Sequence, residues 1–169
     1  MGNNKTKKIV MASMLAALCC VATMVIKIPS PLKGYLNLGD CIVVLSGFML
    51  SPLYGFFAAG LGSALADLFA GYIVYAPATF LIKGVMALFA YYGFKALNKT
   101  MGITLSRIIS AVVAEIVMVG GYFVFEGFMY GFLPSAVNIP ANAVQGVAGI
   151  ILGVILAKIF DKGLNLNDH

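Results

Sequence analysis

The sequence predicts an all-α integral membrane protein of six transmembrane helices, the second of them short, with both termini in the cytoplasm. Three observations carry this. Hydrophobic residues make up 62% of the 169 positions and charged residues 10%, against about 25% charged in a soluble domain, so too few charges exist to cover a water-facing surface. The apolar residues fall in long runs, as a helix needing about 20 residues to cross hydrocarbon requires, and not in the alternating pattern of barrel strands. Lysine and arginine gather at one set of run ends, as they do on the cytoplasmic side of membrane proteins.

The first run spans Ile9 to about Ile26 and stops at Lys27 and the Pro29-Ser30-Pro31 break, where proline ends helical geometry. Lys5, Lys7 and Lys8 precede it, as in a secretory signal, but the run is long for one and no small-x-small cleavage site stands before the loop. It is expected to stay as a helix. A polar loop through Lys33, Gly34, Asn37, Gly39 and Asp40 leads to a short apolar stretch, Cys41 to Leu50, closed by Ser51-Pro52. Runs from Leu53 to about Tyr72 and from Ala78 to about Leu97 follow, joined by a turn at Val74 to Pro77. A polar linker is expected from Asn98 to Ser106, then a run from about Arg107 to Tyr130. A break at Gly131 to Pro134 opens the last run, which ends near Phe160. The 169 residues are expected to form one transmembrane domain.

The short stretch admits two arrangements. Ten to twelve residues give a helix of roughly 15–18 Å, too short for a core of about 30 Å, whereas one helix from Cys41 to Tyr72 would be interrupted by Pro52. Charge decides. With a hairpin at Ser51-Pro52, the N-terminal lysines, Lys95, Lys99, Arg107, Lys158 and Lys162 all fall on one side and only Lys27 and Lys33 fall opposite. The short helix must then be shielded by its neighbours.

Ionisable side chains inside spans are costly and by default pair or line a cavity. Asp67 and Lys83 both fall roughly 8–9 Å below the outer surface at 1.5 Å per residue, as a pair or as two walls of one site. Glu115, Val119, Tyr122 and Glu126 share one helix face, and Asn138, Asn142, Gln145 and Gly149 share one on the last helix. Two polar stripes descending from one surface could read a polar ligand, or could be interhelical glue. Tyr35, Tyr72, Tyr75, Tyr122 and Tyr130 gather toward the same side, as interfacial anchors or as stacking partners for a planar ring. Ala12, Ala16 and Cys20 recur at four-residue spacing, which allows close helix approach.

Several chemistries find no support. Cys19 and Cys20 are adjacent, Cys41 is isolated, and the one histidine is His169 at the end, so neither a zinc spacing nor a buried catalytic histidine is present. The glycines at 55, 60, 62 and at 146, 149, 153 lack the Gly-Lys-Ser/Thr of a phosphate loop, so uphill uptake would need another subunit or an ion. No catalytic residue, metal, cofactor or nucleic-acid partner is expected.

Longer motifs point further. Gly34-Tyr35-Leu36-Asn37-Leu38-Gly39-Asp40, Ser51-Pro52-Leu53-Tyr54-Gly55, Ala66-Asp67-Leu68-Phe69-Ala70-Gly71-Tyr72, Ala76-Pro77-Ala78-Thr79, Ile82-Lys83-Gly84 and Pro140 to Gln145 together resemble the substrate-binding (S) components of energy-coupling factor (ECF) vitamin transporters. The resemblance runs from the first helix to the last and is nearest to the riboflavin, hydroxymethylpyrimidine and pyridoxine types. The absence of tryptophan speaks against a thiamine type. It implies a plasma-membrane S component without enzymatic activity, with an outward pocket gated by the loop between helices one and two. The implied partners are a vitamin or precursor, a transmembrane coupling (T) subunit and two cytoplasmic ATPase subunits. It further implies that Ala12 and Ala16 meet the coupling subunit and that the component topples in the membrane to release its cargo. The candidate binding residues are Asn37, Asp40, Asp67, Tyr72, Tyr75, Lys83, Glu115, Tyr122, Glu126, Asn138, Asn142 and Gln145. The competing readings are an ion-coupled carrier, for which no inverted repeat is found, and a small membrane enzyme, for which clustered aspartates are missing.

The charge pattern is directly testable. In a cysteine-free background, Asn98→Cys should resist impermeant thiol reagents added outside intact cells, and strong labelling there would overturn the six-helix arrangement.

Overall fold

A computed structural model describes residues 2–29 and 35–165. Ser30, Pro31, Lys33, Gly34 and His169, singled out in the sequence, lie outside the described residues. In order, α1 is Gly2–Val25, β1 Ile28–Pro29, β2 Tyr35–Leu36, α2 Gly39–Met49, α3 Pro52–Phe69, α4 Ala76–Met101, α5 Ile103–Tyr130, α6 Phe132–Ser135 and α7 Ile139–Asn165, with a 3-10 turn, Ala136–Asn138, before α7. Among the described residues, five helical segments are long and apolar enough to cross a membrane, and α2 is the sixth, shorter apolar helix.

The recessed helix α2 organises the bundle. Its 11 residues rise only about 16 Å, and every residue from Gly39 to Gly47 is buried. Helices α1, α3, α4 and α7 surround it, which is the shielding that its length demands. Small residues permit the close contacts. At Gly47 a Cβ would stand 2.6 Å from the Ala87 carbonyl and 2.7 Å from the Ala90 methyl on α4.

The hairpin after α2 is confirmed by its geometry. Leu50 and Ser51 are extended and Pro52 opens α3 in its first turn, where its missing N–H costs nothing. Arg107 at the start of α5 lies over the rings of Phe48 (5.6 Å) at the end of α2 and Phe94 (5.2 Å) near the end of α4. It also donates to Asp161 near the end of α7 at 2.7 and 3.2 Å. Lys7 and Lys8 line a hollow at this same end with Met49, Ser51 and Tyr54. Lys7, Lys8 and Arg107 therefore share one end of the bundle, and the other end holds the loop between α1 and α2, with Lys27 beside it. There β1 pairs antiparallel with β2, Ile28 opposite Leu36 and Pro29 opposite Tyr35.

The polar linker expected at 98–106 is corrected. Helix α4 continues to Met101 and α5 begins at Ile103, so Gly102 alone makes the reversal, with φ +74°. Asn98, Lys99 and Thr100 contain no helix breaker; their polarity marks where the helix leaves hydrocarbon, not where it stops. Gly131 (φ +93°) makes the reversal after α5. Both glycines occupy backbone that other residues rarely adopt.

Overpacking one close contact should be felt where an open one is not. Gly47→Val should lower the thermal midpoint in detergent by several degrees, since inserted methyl groups in a full core cost about 1–3 kcal/mol. Gly120→Ala, where nothing lies within 4 Å of an added Cβ, should leave the midpoint unchanged or slightly raised.

Candidate ligand-binding site

The end opposite the basic residues holds a narrow cavity of about 40 Å³. Tyr35 and Asn37 reach it from the loop, Asp67 and Tyr72 from the end of α3, Tyr75 and Thr79 from the start of α4, Tyr122 and Glu126 from α5, and Asn142 and Gln145 from α7. Four helix ends and one loop thus converge because the short α2 leaves a hollow above its own N-terminus.

Beneath the cavity lies a charge pair closed to water. Lys83 and Asp40, 2% and 0% exposed, form an ion pair through Nζ and Oδ1. The other Asp40 oxygen accepts from Gln145 Nε2 at 2.7 Å. Gln145 Oε1 accepts in turn from the Asn37 backbone N–H at 2.9 Å and from Asn37 Nδ2 at 3.4 Å. One polar chain therefore runs α4–α2–α7–loop. The Asp67–Lys83 pair that depth counting suggested is not made. Depth along a helix gives a level but not a direction around it, and the recessed α2 brings Asp40 down to Lys83. Asp67 instead accepts from the Tyr35 hydroxyl at 2.6 Å. Burial drives the Tyr35 phenol far above its usual pKa and this hydrogen bond adds to the shift, so the phenol stays a donor and the loop stays tied to α3.

The α5 stripe meets the last segment in two layers, the upper through Asn138 in the 3-10 turn before α7 and the lower through the glycines of α7. In the upper layer Glu126 accepts from Asn138 Nδ2 at 2.9 Å on both oxygens and from the Tyr75 hydroxyl at 3.4 Å. In the lower layer Glu115 is 4% exposed, and among the described residues its carboxyl oxygens meet no N–H or hydroxyl donor and lie beside the Asp40 carboxyl. It fits because α7 presents glycine there: a Cβ on Gly149 would strike Glu115 Oε1 and stand 2.8 Å from the Asp40 Cβ. Glu115 thus lies behind Asp40 and does not line the cavity, contrary to its expected place beside Tyr122. Lys83, Asp40 and Asn138 likewise support the walls from behind.

The aromatic residues form a partial box. Tyr35 and Tyr72 stand 4.8 Å apart and Tyr72 and Tyr75 6.2 Å. Tyr122 shares a 3.0 Å hydrogen bond with Thr79, and its ring faces Lys83 Nζ at 5.4 Å. Tyr130, half-buried near the end of α5, does not line the cavity. Thr79 was missed in the sequence, although its position midway between Tyr75 and Lys83, four residues from each, puts it on their face.

Ala12 and Ala16 are half-buried and pack against the core. The Ala16 carbonyl lies against Gly62 of α3, so part of this stripe serves internal packing. The exposed side of α1 is the neighbouring one, with Ser13, Met14, Ala17, Leu18 and Val21.

Residues 3–162 match the sequence model of the family described as ECF-type riboflavin transporter, S component. The chain belongs to this family. The S component of a bacterial ECF transporter superposes with a TM-score of 0.75 at 27% identity, over 95% of this chain and 98% of the other. An S component for biotin shares the fold, with a TM-score of 0.68 at 17% identity over 95% and 94% of the two chains. A protein of Pyrococcus woesei without assigned function is 37% identical over 143 residues, 84% of this chain and 93% of its own. The thiamine precursor transporter HmpT of Lactococcus lactis subsp. cremoris (strain MG1363) is 26% identical over 169 residues, 99% of this chain and 95% of its own. As an ECF S component the chain is a multi-pass membrane protein, and S components bind vitamin ligands and associate with T and ATPase subunits.

The buried pair gives a sharp stability test. Lys83→Met strands Asp40 in a dry site and should destabilise the S component by about 3–5 kcal/mol, while Lys83→Met combined with Asp40→Asn should recover most of that loss. Detergent melts of the two variants compare them; equal losses would mean that the pair carries no electrostatic role.

Proposed function

We propose that this S component captures a water-soluble heterocyclic vitamin or precursor of the riboflavin, pyridoxine or hydroxymethylpyrimidine kind from outside the cell. A T subunit and two ATPase subunits in the plasma membrane then drive its uptake with ATP. The observation that carries this is the tyrosine-, carboxyl- and amide-lined cavity beneath the loop, at the end away from the basic residues. Asn37, Asp67, Tyr72, Tyr75, Tyr122, Glu126, Asn142 and Gln145 form the walls that touch the ligand. Asp40, Lys83, Glu115 and Asn138 hold those walls in place. Tyrosine faces suit a flat ring, and the carboxyl and amide groups suit its polar edge.

A cavity of about 40 Å³ is far below the roughly 300–1,000 Å³ of small-molecule sites, so it represents a shut state. Three hydrogen bonds hold the loop down, Tyr35 to Asp67 and the Asn37 N–H and Nδ2 to Gln145. Ligand entry lifts the loop by breaking them, and a bound ligand takes over their polar partners.

The exposed side of α1 is the docking surface for the T subunit, with Ala12 and Ala16 at its margin. A groove of about 750 Å³ runs along it, lined by Met14, Ala17, Leu18 and Val21 and reaching Met49 and Phe160. Its apolar lining, with Ala17 leaving room at one turn, suits a packed helix from another chain.

Two variants separate binding from coupling. Asn142→Ala should weaken binding of whatever vitamin co-purifies at least about tenfold by calorimetry, the scale of one lost buried hydrogen bond. Ala17→Trp should leave that affinity unchanged yet abolish ATP-dependent uptake in proteoliposomes holding the T and ATPase subunits. Unchanged affinity in the first would move the site elsewhere, and unchanged uptake in the second would remove α1 from the coupling surface.

A further inference from the structure

Among the described residues the chamber holds more buried acid than buried base. Four carboxyl groups, Asp40, Asp67, Glu115 and Glu126, lie in or just beneath it, and each is at most 5% exposed. Among the described residues the one buried ammonium is Lys83, and it is bound to Asp40. The other ion pair, Arg107–Asp161, belongs to the far end of the bundle. Of the two acids that line the cavity, Asp67 has Oδ1 engaged by a phenol and Oδ2 enclosed near the Thr79 hydroxyl. Glu126 receives only uncharged donors. Carboxyl groups buried without a counter-charge either hold a proton or ionise only when something supplies that charge.

The aromatic lining has the same preference. Rings attract cations to their faces, and the chain's own lysines already use two of the four tyrosines in this way. Lys27 lies 5.6 Å from the Tyr35 ring centre at the mouth, and Lys83 lies 5.4 Å from that of Tyr122 at the floor. Tyr72 and Tyr75, set edge to face at 6.2 Å, line the same cavity as Asp67 and Glu126.

We propose that the ligand is held as an organic cation: a small heterocycle carrying positive charge on a ring nitrogen, set against Asp67 and Glu126 and packed on Tyr72 and Tyr75. This rests on the vitamin-pocket reading above and adds the ligand's charge to it. A cation supplies the counter-charge that lets these carboxyl groups ionise, donates to Asp67, and meets electron-rich ring faces. The polar edge of an uncharged flavin, by contrast, offers the two acids a single N–H, and its two carbonyl oxygens must find their donors among the amides and hydroxyls of the lining.

Calorimetry on the full-length S component in detergent tests this. The probes are riboflavin, thiamine (a permanent cation), pyridoxine, pyridoxine quaternised by methylation at its ring nitrogen, and the benzene analogue of pyridoxine, which cannot carry the charge. A charged probe should bind at least about tenfold more tightly than its uncharged counterpart and than riboflavin, the scale of a charge-assisted contact. Asp67→Asn and Glu126→Gln, checked for folding by thermal melts, should each shrink that charged-to-uncharged ratio; either variant alone suffices if the other does not fold. Tightest binding of riboflavin or of the benzene analogue, or a ratio unmoved by both variants, overturns the cation assignment and leaves the vitamin pocket standing. If no probe binds but a small molecule co-purifies, its charge at neutral pH decides in the same sense. If no probe binds and nothing co-purifies, the vitamin-pocket reading itself falls, and the cation assignment with it.

Discussion

An ion pair that water cannot reach, Lys83 with Asp40, is the interaction on which the rest of the arrangement depends. Each charge alone would be prohibitive in a low-dielectric interior, so α2 and α4 must be held with their polar groups in register. Gln145 extends the constraint to α7, and its contact with Asn37 extends it to the loop. A pair in the middle of a membrane bundle is weak evidence for net stability. Its effect here is registration: it fixes the floor of the cavity and ties that floor to the loop above.

The recessed α2 follows from the same requirement. A full-length helix would carry Asp40 toward the membrane surface; a helix of 11 residues, closed on all sides by α1, α3, α4 and α7, lets it meet Lys83 at depth. The cost is a hollow above the N-terminus of α2, and in an otherwise apolar bundle that hollow is where tyrosines, amides and carboxyl groups gather. Glycine makes the depth available. Gly47 brings α4 close to α2, and Gly149 admits Glu115 beside Asp40. Recognition and packing are therefore two uses of one geometry.

Charge is divided along the bundle axis. The basic end is closed by Arg107, which binds Asp161 and lies over Phe48 and Phe94, and it joins the ends of α2, α4 and α7 to the start of α5. The acidic end carries the cavity and the loop. An S component has to present a ligand surface on one side of the membrane and work with ATPase subunits on the other, and this separation lets the two ends be built from different chemistry on one rigid set of helices.

Much of this was legible in the sequence. Hydrophobicity and run length required helices, because hydrocarbon offers no partner for a free backbone group. Lysine and arginine positions required the hairpin at Pro52, and four-residue spacing put Tyr122 with Glu126 and Asn138 with Asn142 on shared faces. Those signals are local or one-dimensional. What only the tertiary structure decided was direction: that Lys83 turns to Asp40 and Asp67 to Tyr35, that Glu115 lies behind the cavity wall, that Ala16 packs on Gly62, and that the polar stretch after Leu97 remains helical up to Gly102. Periodicity places a side chain at a height and on a face of its own helix, but which neighbour that face meets depends on how the helices are rotated against one another. Glycine contacts between residues far apart in sequence set that rotation, and no spacing within a single helix encodes it.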